Sequence, residues 1–400
     1  MPPDRVSNFF VFWEKHKRSF LRIALILLCV SAAFRLVIEF SRLLTDWELN
    51  AAIDLKTRHR EIQNWFAGNI VYTGYNRLYP PPSYVLLWPL LGWPDLQTAR
   101  IIWTVLTSLA VIAFIRQAML NSNAENNHEK GIVALMFLAM NGTGSQIGHG
   151  QVTLLFFPLI IGALMLLDQK PGLRRDLLIA GAMLVSMVKP TISAPFCWIV
   201  VFRKGIRPLI LAAICYVAAA IIGASFQPED FFTLFDKWLS GTHQAVKGYE
   251  YGYGNVQSWL SHHGLKSLTN IVPVLLLLSM GVWFYLNRDI DLWIQIGIAG
   301  LYSRMWAYHL IYDDMLIILP MIALFRLLKN KYTSDRHQMI AGLLIAAASF
   351  LSLARLIHIA PWRFTLITTA NQIVWMAMLC FLLFIAHTRQ KDAAVSDSTA

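Results

Sequence analysis

The feature that most constrains this chain is a succession of apolar runs, separated by short polar breaks, along nearly its whole length. Hydrocarbon offers a backbone no water to bond. Every N–H and C=O must then be satisfied within the segment, and a stretch of ~20 apolar residues does so as a helix. The runs fall at 20–40, 98–118, 131–146, 153–167, 177–188, 191–201, 208–227, 267–286, 292–304, 315–328, 339–354 and 365–387. They predict an all-α integral membrane protein, a polytopic bundle of about twelve transmembrane helices. Composition leaves no room for a soluble domain of independent size. Residues are 56% hydrophobic and 14% charged, against ~25% charged in soluble domains. The four cysteines, Cys29, Cys197, Cys215 and Cys380, all sit inside apolar runs, without metal-ligand spacing and poorly placed for disulfides.

The net charge of +11 is read from its placement. Lys15, Lys17 and Arg18 precede the first run. Basic clusters follow at Lys170–Arg175, Arg203–Arg207 and Arg326–Arg336, and Arg389 and Lys391 follow the last run. With both termini cytoplasmic these clusters fall on one side, as the positive-inside rule requires. The excess therefore points to membrane anchoring in a plasma (inner) membrane and to membrane lipids as partners, not to nucleic acid. The N-terminus lacks a small-residue cleavage site and reads as a retained cytoplasmic segment. One domain, 1–390, with a disordered tail at 391–400, accounts for the chain.

Two polar stretches interrupt the pattern, 41–82 and 228–266, and both are assigned to the extracytoplasmic face. Loops this long are functional or disordered. The first has Trp47, Trp65, Phe66, Tyr72, Tyr75 and Tyr79 to bury, so its composition is not that of a disordered segment. It is expected to carry juxtamembrane helices. The stretch 79–94, closed by prolines, is too short for a routine span and reads as a re-entrant or interfacial helix.

Ionisable residues at membrane depth are expensive, so each is a candidate site residue. Asp46, at the boundary after the first run, can serve as a general base toward an acceptor hydroxyl; the competing reading is an N-cap of a juxtamembrane helix. Asp54, Glu48 and Glu61 compete for the same role from farther along the loop. His149 and Gln151 sit at a Gly-flanked turn, where glycine allows close approach of a ligand or simply a tight hairpin. Lys189-Pro190 breaks an apolar run and offers a cation to a phosphate, unless the lysine snorkels to the headgroups. Asn255 and Ser258 follow an aromatic, Gly-rich stretch suited to sugars or to an interfacial belt. His309 and Asp313 are i,i+4 and would share a helix face near Arg304, as phosphate and sugar contacts or as a pin between helices. Arg355, His358 and Arg363 are further phosphate or headgroup candidates. No third ligand accompanies the His309–Asp313 pair, so no metal or other cofactor is called for.

In this order the motifs resemble glycosyltransferase family 87, the polyprenol-phosphate-mannose-dependent mannosyltransferases of the GT-C superfamily. The resembling residues are Asp46, Tyr79-Pro80-Pro81 with Pro89-Leu90, Gly150-Gln151-Val152, Ala180-Gly181 with Lys189-Pro190-Thr191, Gly254-Asn255 with Ser258, and the His309 segment. The tyrosine usual a few residues after the aspartate is absent, and Tyr308-His309 stands where the family has paired histidines. The resemblance implies a GT-C-type bundle and inverting transfer of a hexose, mannose above others, from a polyprenyl-phosphate sugar to a lipid-linked or glycan acceptor. Asp46 would be the base. Lys189, His309, Arg304, His149 and Gln151 would meet the donor phosphate or sugar. Asn255, Ser258, Tyr79 and Asp313 would meet the acceptor or sugar. The competing class is a transporter or lipid flippase, which would line a pathway with the same charges. Transporters of that kind pair broken helices in repeats, and only one such break, at Lys189-Pro190, is visible.

Overall fold

The computed structural model describes residues 3–45, 48–72, 79–203, 205–248, 254–354 and 361–399. Among these the chain is helical, with no strand. Helix α1 runs Pro3–Leu44, and the first loop supplies α2 (Ile53–Phe66) and α3 (Pro81–Leu91). Then come α4 (Leu96–Asn121), α5 (Asn127–Ala139), α6 (Asn141–His149), α7 (Thr153–Leu166), α8 (Leu173–Ser186), α9 (Pro190–Phe202) and α10 (Ile206–Ala224). The second loop holds α11 (Phe231–Gly248) and α12 (Val256–His262). Helices α13 (Ile271–Leu286), α14 (Leu292–Met305), α15 (Ile318–Lys329), α16 (Asp335–Ala354) and α17 (Pro361–Thr399) complete the bundle. Short 3-10 segments at Lys266–Leu268 and Ile311–Ile317 precede α13 and α15.

Among the described residues, four helical stretches are long and apolar enough to cross a bilayer: Leu96–Asn121, Ile206–Ala224, Asp335–Leu353 and Leu366–Thr388. The pair α6 and α7, bent by 120°, makes a fifth if taken as one broken span. The protein is therefore a multi-pass membrane protein, and of the twelve spans expected from the apolar runs four or five meet this length and composition among the described residues. Helices α7, α8, α9, α13, α14 and α15 are only 12 to 16 residues long, short of the ~20 that a straight crossing needs. The run at 131–146 is not one helix. Met140 is extended at ψ 134° and separates α5 from α6, because Asn141, Gly142 and Gly144 weaken helix continuation there. Helix α17 runs on to Thr399, over a last stretch that holds neither Gly nor Pro to stop it.

Hydrogen bonds sort the connections to two ends. At one end Trp65 Nε1 donates to the Gly223 carbonyl (2.9 Å), Gln227 Nε2 to the Trp65 carbonyl (2.6 Å) and Gln63 to the carbonyls of Leu91 and Gly92. Ser83 Oγ donates to the Val188 carbonyl there (2.9 Å), and the Ala52 N–H to the Gly148 carbonyl (2.9 Å). The first loop thus covers the ends of α6, α8 and α10. At the other end Arg203 pairs with Asp168, Arg326 with Asp291, and Lys329 with Glu125 and Glu129. Arg203 from one basic cluster recognised in the sequence, and Arg326 and Lys329 from another, share this second end. Helix α3, of 11 residues, spans only ~16 Å. It packs under α2, where Trp65 stacks on Tyr84 at 4.5 Å.

Candidate active site

The loop-bearing end holds a buried knot of charge centred on Asp313. Its side chain is 1% exposed. Lys189 Nζ reaches Oδ1 and Oδ2 at 2.8 and 2.9 Å, His309 Nδ1 reaches Oδ2 at 2.9 Å, and Gln146 Nε2 donates to Oδ1 at 3.0 Å. A carboxylate buried without partners is prohibitive; a cation and two further donors make it tenable. Local sequence explains the arrangement. Helix α8 stops at Ser186 and α9 opens on Pro190, which is tolerated in a first turn. Lys189 is left in the gap at φ −127°, ψ 79°, with its ammonium 5.1 Å from the centre of the Tyr312 ring and 3.4 Å from Thr153 Oγ1 of α7.

Three interruptions of the bundle therefore meet at one carboxylate: the α6–α7 bend, the α8–α9 gap and the return after α14. Gly150 makes the first possible. It closes α6 in the left-handed region at φ 69°, against Leu55 of α2. His149 lies beside this turn, its Nδ1 at 2.8 Å from the Ser145 carbonyl and its ring 5.9 Å from Tyr312. Gln151 is buried, and its Oε1 has no partner among the described residues.

His309 and Asp313 do touch, but not across a helix face. Residues 307–310 are irregular and 311–317 form a 3-10 segment, so the tighter winding sends Asp313 and Asp314 in different directions. Asp314 takes Arg304 instead, with Nε to Oδ1 at 2.7 Å and the arginine fully buried. The Arg304 guanidinium lies 4.9 Å from the centre of the Trp375 ring of α17 and reaches the Gly254 carbonyl at 3.5 Å. Gly254 is at φ +67°, and a Cβ there would come within 3.0 Å of Trp375.

Burial pushes the His309 imidazole below its usual value, against the pull of Asp313, with Lys189 and Arg304 acting in the same direction as burial. Burial alone would raise the Asp313 carboxyl, but Lys189 and His309 hold it below the carboxylate range. The knot is thus a cation, a carboxylate and a neutral imidazole. With Nδ1–H given to Asp313, His309 presents an unprotonated Nε2, buried and without a partner among the described residues. Both shifts are depressions, so the stability they contribute is complete above the unfolded pKa values and lost as pH falls. The melting temperature in detergent should be flat above about pH 7, decline below about pH 6.5 as the unfolded imidazole takes a proton that buried His309 resists, and fall again below about pH 4 as the unfolded Asp313 carboxyl does the same.

The other sequence candidates fare unevenly. Asn255 and Ser258 are buried, and their visible bonds are structural: Asn255 Oδ1 caps α12 through the Ser258 N–H (2.9 Å), and its Nδ2 donates to the His309 carbonyl (3.3 Å). Tyr79 lies under the Arg58 guanidinium at 4.3 Å, outside the Asp313 contacts, and its carbonyl accepts from Tyr72 (2.8 Å). Asp46 and Trp47 lie outside the described residues, as do the side chains of Arg355, His358 and Arg363. Helix α2 starts at Ile53 with Ala52 at its N-cap, so neither Thr45 nor Asp46 caps it. Gln146, Tyr312, Asp314 and Trp375 were not singled out in the sequence. Only the pairing of Asp313 with Asp314 gave a signal there, as two adjacent carboxylates in an apolar context.

Gly142 sets the fit of α6 against this centre. A Cβ there would lie 2.5 Å from the Met315 backbone nitrogen, which cannot move aside as a side chain would. Gly142→Ala should destabilise the protein by about 1–3 kcal/mol, read as a lower melting temperature. Gly181→Ala, with nothing within 4 Å of its Cβ, should not lower it.

A helical multi-pass membrane protein with a polar centre under an end loop is the class defined by these features. The model of glycosyltransferase family 87 matches residues 78–289, just over half of the chain. The chain belongs to that family and is a membrane glycosyltransferase. The matched region includes Tyr79, His149, Gln151, Lys189, Asn255 and Ser258, and leaves Asp46, Arg304, His309 and Asp313 outside it. No curated protein and no solved structure matches the chain.

Proposed function

We propose that the protein transfers a hexose, mannose in the first instance, from a polyprenyl-phosphate sugar to a hydroxyl of a lipid-linked or glycan acceptor. Transfer takes place at the outer face of the plasma membrane, with both termini cytoplasmic. Asp46 takes the proton as the acceptor oxygen attacks C1. The C1–O bond to phosphate breaks with its electron pair leaving on polyprenyl phosphate, and the anomeric configuration inverts. The family supplies the reaction class. The observation that carries the site is the meeting of three chain interruptions on the buried Lys189–Asp313–His309 knot at the loop-bearing end.

The ion pairs refine the donor role expected of Lys189 and Arg304. Each already faces a carboxylate, so neither is a bare cation waiting for phosphate. In this reading Asp313 fixes the lysine and the imidazole. The departing phosphate gains preorganised donors without reorganisation during the reaction. His149 and Gln151 at the α6–α7 turn complete the donor side. Asn255, Ser258 and Tyr79 shape the acceptor side, the first two through the α12 cap. The test is sugar transfer from radiolabelled polyprenyl-phosphate-mannose in membranes carrying the protein. Transfer supports the reading. Absence of transfer from this donor, and from the glucose and galactose forms, overturns it.

A further inference from the structure

Helix α1 carries three charges that the site does not use. Arg35, Glu39 and Arg42 recur at i, i+4 and i+7 and so share a face. Arg35 and Glu39 lie in the last part of the first apolar run, and Arg42 just beyond it. Glu39 is 1% exposed. Arg35 holds its Oε1 at 3.0 Å, and Arg42 holds its Oε2 at 2.8 Å. At 1% exposure Glu39 does not reach the headgroups by extending outward. Such a row is expensive unless each member is paired, and an apolar stripe would pack α1 more simply.

Both ends of the row lead to the active centre. Arg42 Nε meets Glu48 Oε2 at 3.1 Å, and Glu48 stands two residues beyond Asp46 in the chain. Arg35 donates to Asn141 Oδ1 and to Ser145 Oγ (3.1 Å), both on α6. Helix α6 has given up side chains to accept the row. A Cβ at Gly144 would fall 2.1 Å from Arg35 Nε, and one at Gly148 would fall 1.9 Å from Glu39 Oε2. The opposite side of α6 holds Asp313 through Gln146 (3.0 Å), and its end holds the first loop through the Ala52 N–H on the Gly148 carbonyl. One carboxylate therefore ties together the loop that follows α1 and the helix that braces Asp313.

We propose that Glu39 is a positioning residue, setting the loop that carries Asp46 in register with the Asp313 centre through Arg42–Glu48 and through α6. This rests on the transfer reaction proposed above. A glutamine keeps the shape of Glu39 and removes its charge, leaving Arg35 and Arg42 facing each other. The loop then loses its register while the Asp313 centre keeps its own ion pairs.

The test has two arms on full-length protein in membranes. In the first, Ala51→Cys, at a position with no exposure, is probed with a charged maleimide; Ala118→Cys, equally buried at the far end of α4, is the control. Glu39→Gln should raise labelling of the thiol introduced at position 51 several-fold and leave labelling at position 118 unchanged. Arg42→Gln, which cuts the link from Glu39 to Glu48 and leaves Glu39 paired with Arg35, should do the same if Glu39→Gln does not accumulate. In the second arm, Glu39→Gln should lower kcat by about 10²-fold, the loss that follows a displacement of about 1 Å, with the donor KM unchanged. Unchanged labelling at position 51 in both variants overturns the proposal. So does equal exposure of both introduced thiols, or a rise in KM without loss of kcat, since either marks general loosening. Absence of transfer by the wild type would overturn the proposed reaction instead, and the labelling arm would still decide whether Glu39 holds the loop.

Discussion

Asp46→Asn should abolish hexose transfer while leaving the protein folded, at matched expression and with an unchanged melting temperature. Asparagine is nearly isosteric but cannot take the acceptor proton. Losing a general base lowers the rate by about 10²–10⁴-fold, which in a membrane assay reads as loss of product. The comparison variant is Asp54→Asn. Asp54 lies in the first turn of α2, half-buried, and its charge acts on both Tyr79 and Tyr312. It is the next aspartate on the loop side. Retention of transfer in Asp46→Asn with loss in Asp54→Asn would move the base to α2 and keep the reaction class. Equal retention in both would remove these two aspartates from the role of base and leave Glu48 and Glu61 as the loop carboxylates to test.

Asp313→Asn should damage both stability and transfer. The substitution leaves the Lys189 ammonium facing an amide and takes the carboxylate from His309. Breaking a buried pair by removing one partner costs about 3–5 kcal/mol, because the other charge is left uncompensated. The melting temperature in detergent should fall sharply. The informative variant is the double substitution Lys189→Met with Asp313→Leu. Replacing both members of a buried pair by apolar residues is often neutral or stabilising, so the double variant should recover most of the melting temperature. Transfer should stay lost, because the donor side has lost its fixed charge and its oriented imidazole. Recovery of transfer together with stability would show that the knot only pins α9 to the 311–317 segment.

Part of the candidate site was legible in the sequence because charges in apolar runs are costly and so stand out. Lys189 before a proline and His309 with Asp313 four residues later declared themselves in this way, and the structure brings all three within hydrogen-bond reach. The route to contact was misread. Spacing suggested one helix face, whereas a loop running into a 3-10 segment makes the contact. Arg35 and Glu39 carried the same signal of charge within an apolar helix, at i,i+4. Their meaning depends on α6, where Gly148 read in the sequence as part of a turn and Gly144 carried no assigned role.

The succession of apolar runs by itself determined that the chain is helical and membrane-embedded, since a long unbroken apolar run satisfies its own backbone in hydrocarbon as a helix, whereas barrel strands alternate apolar and polar residues. The positions of Pro190 and Gly150 determined two of the breaks, because proline lacks an amide hydrogen and only glycine enters the left-handed region cheaply. The tertiary structure decided how the runs divide, which are too short to cross, and which partner each charge takes. Gln146 on Asp313, Trp375 over Arg304 and Arg35 on Asn141 join residues far apart in the chain. Pairings of this kind are set by the packing of whole helices, and no local pattern of residues encodes them.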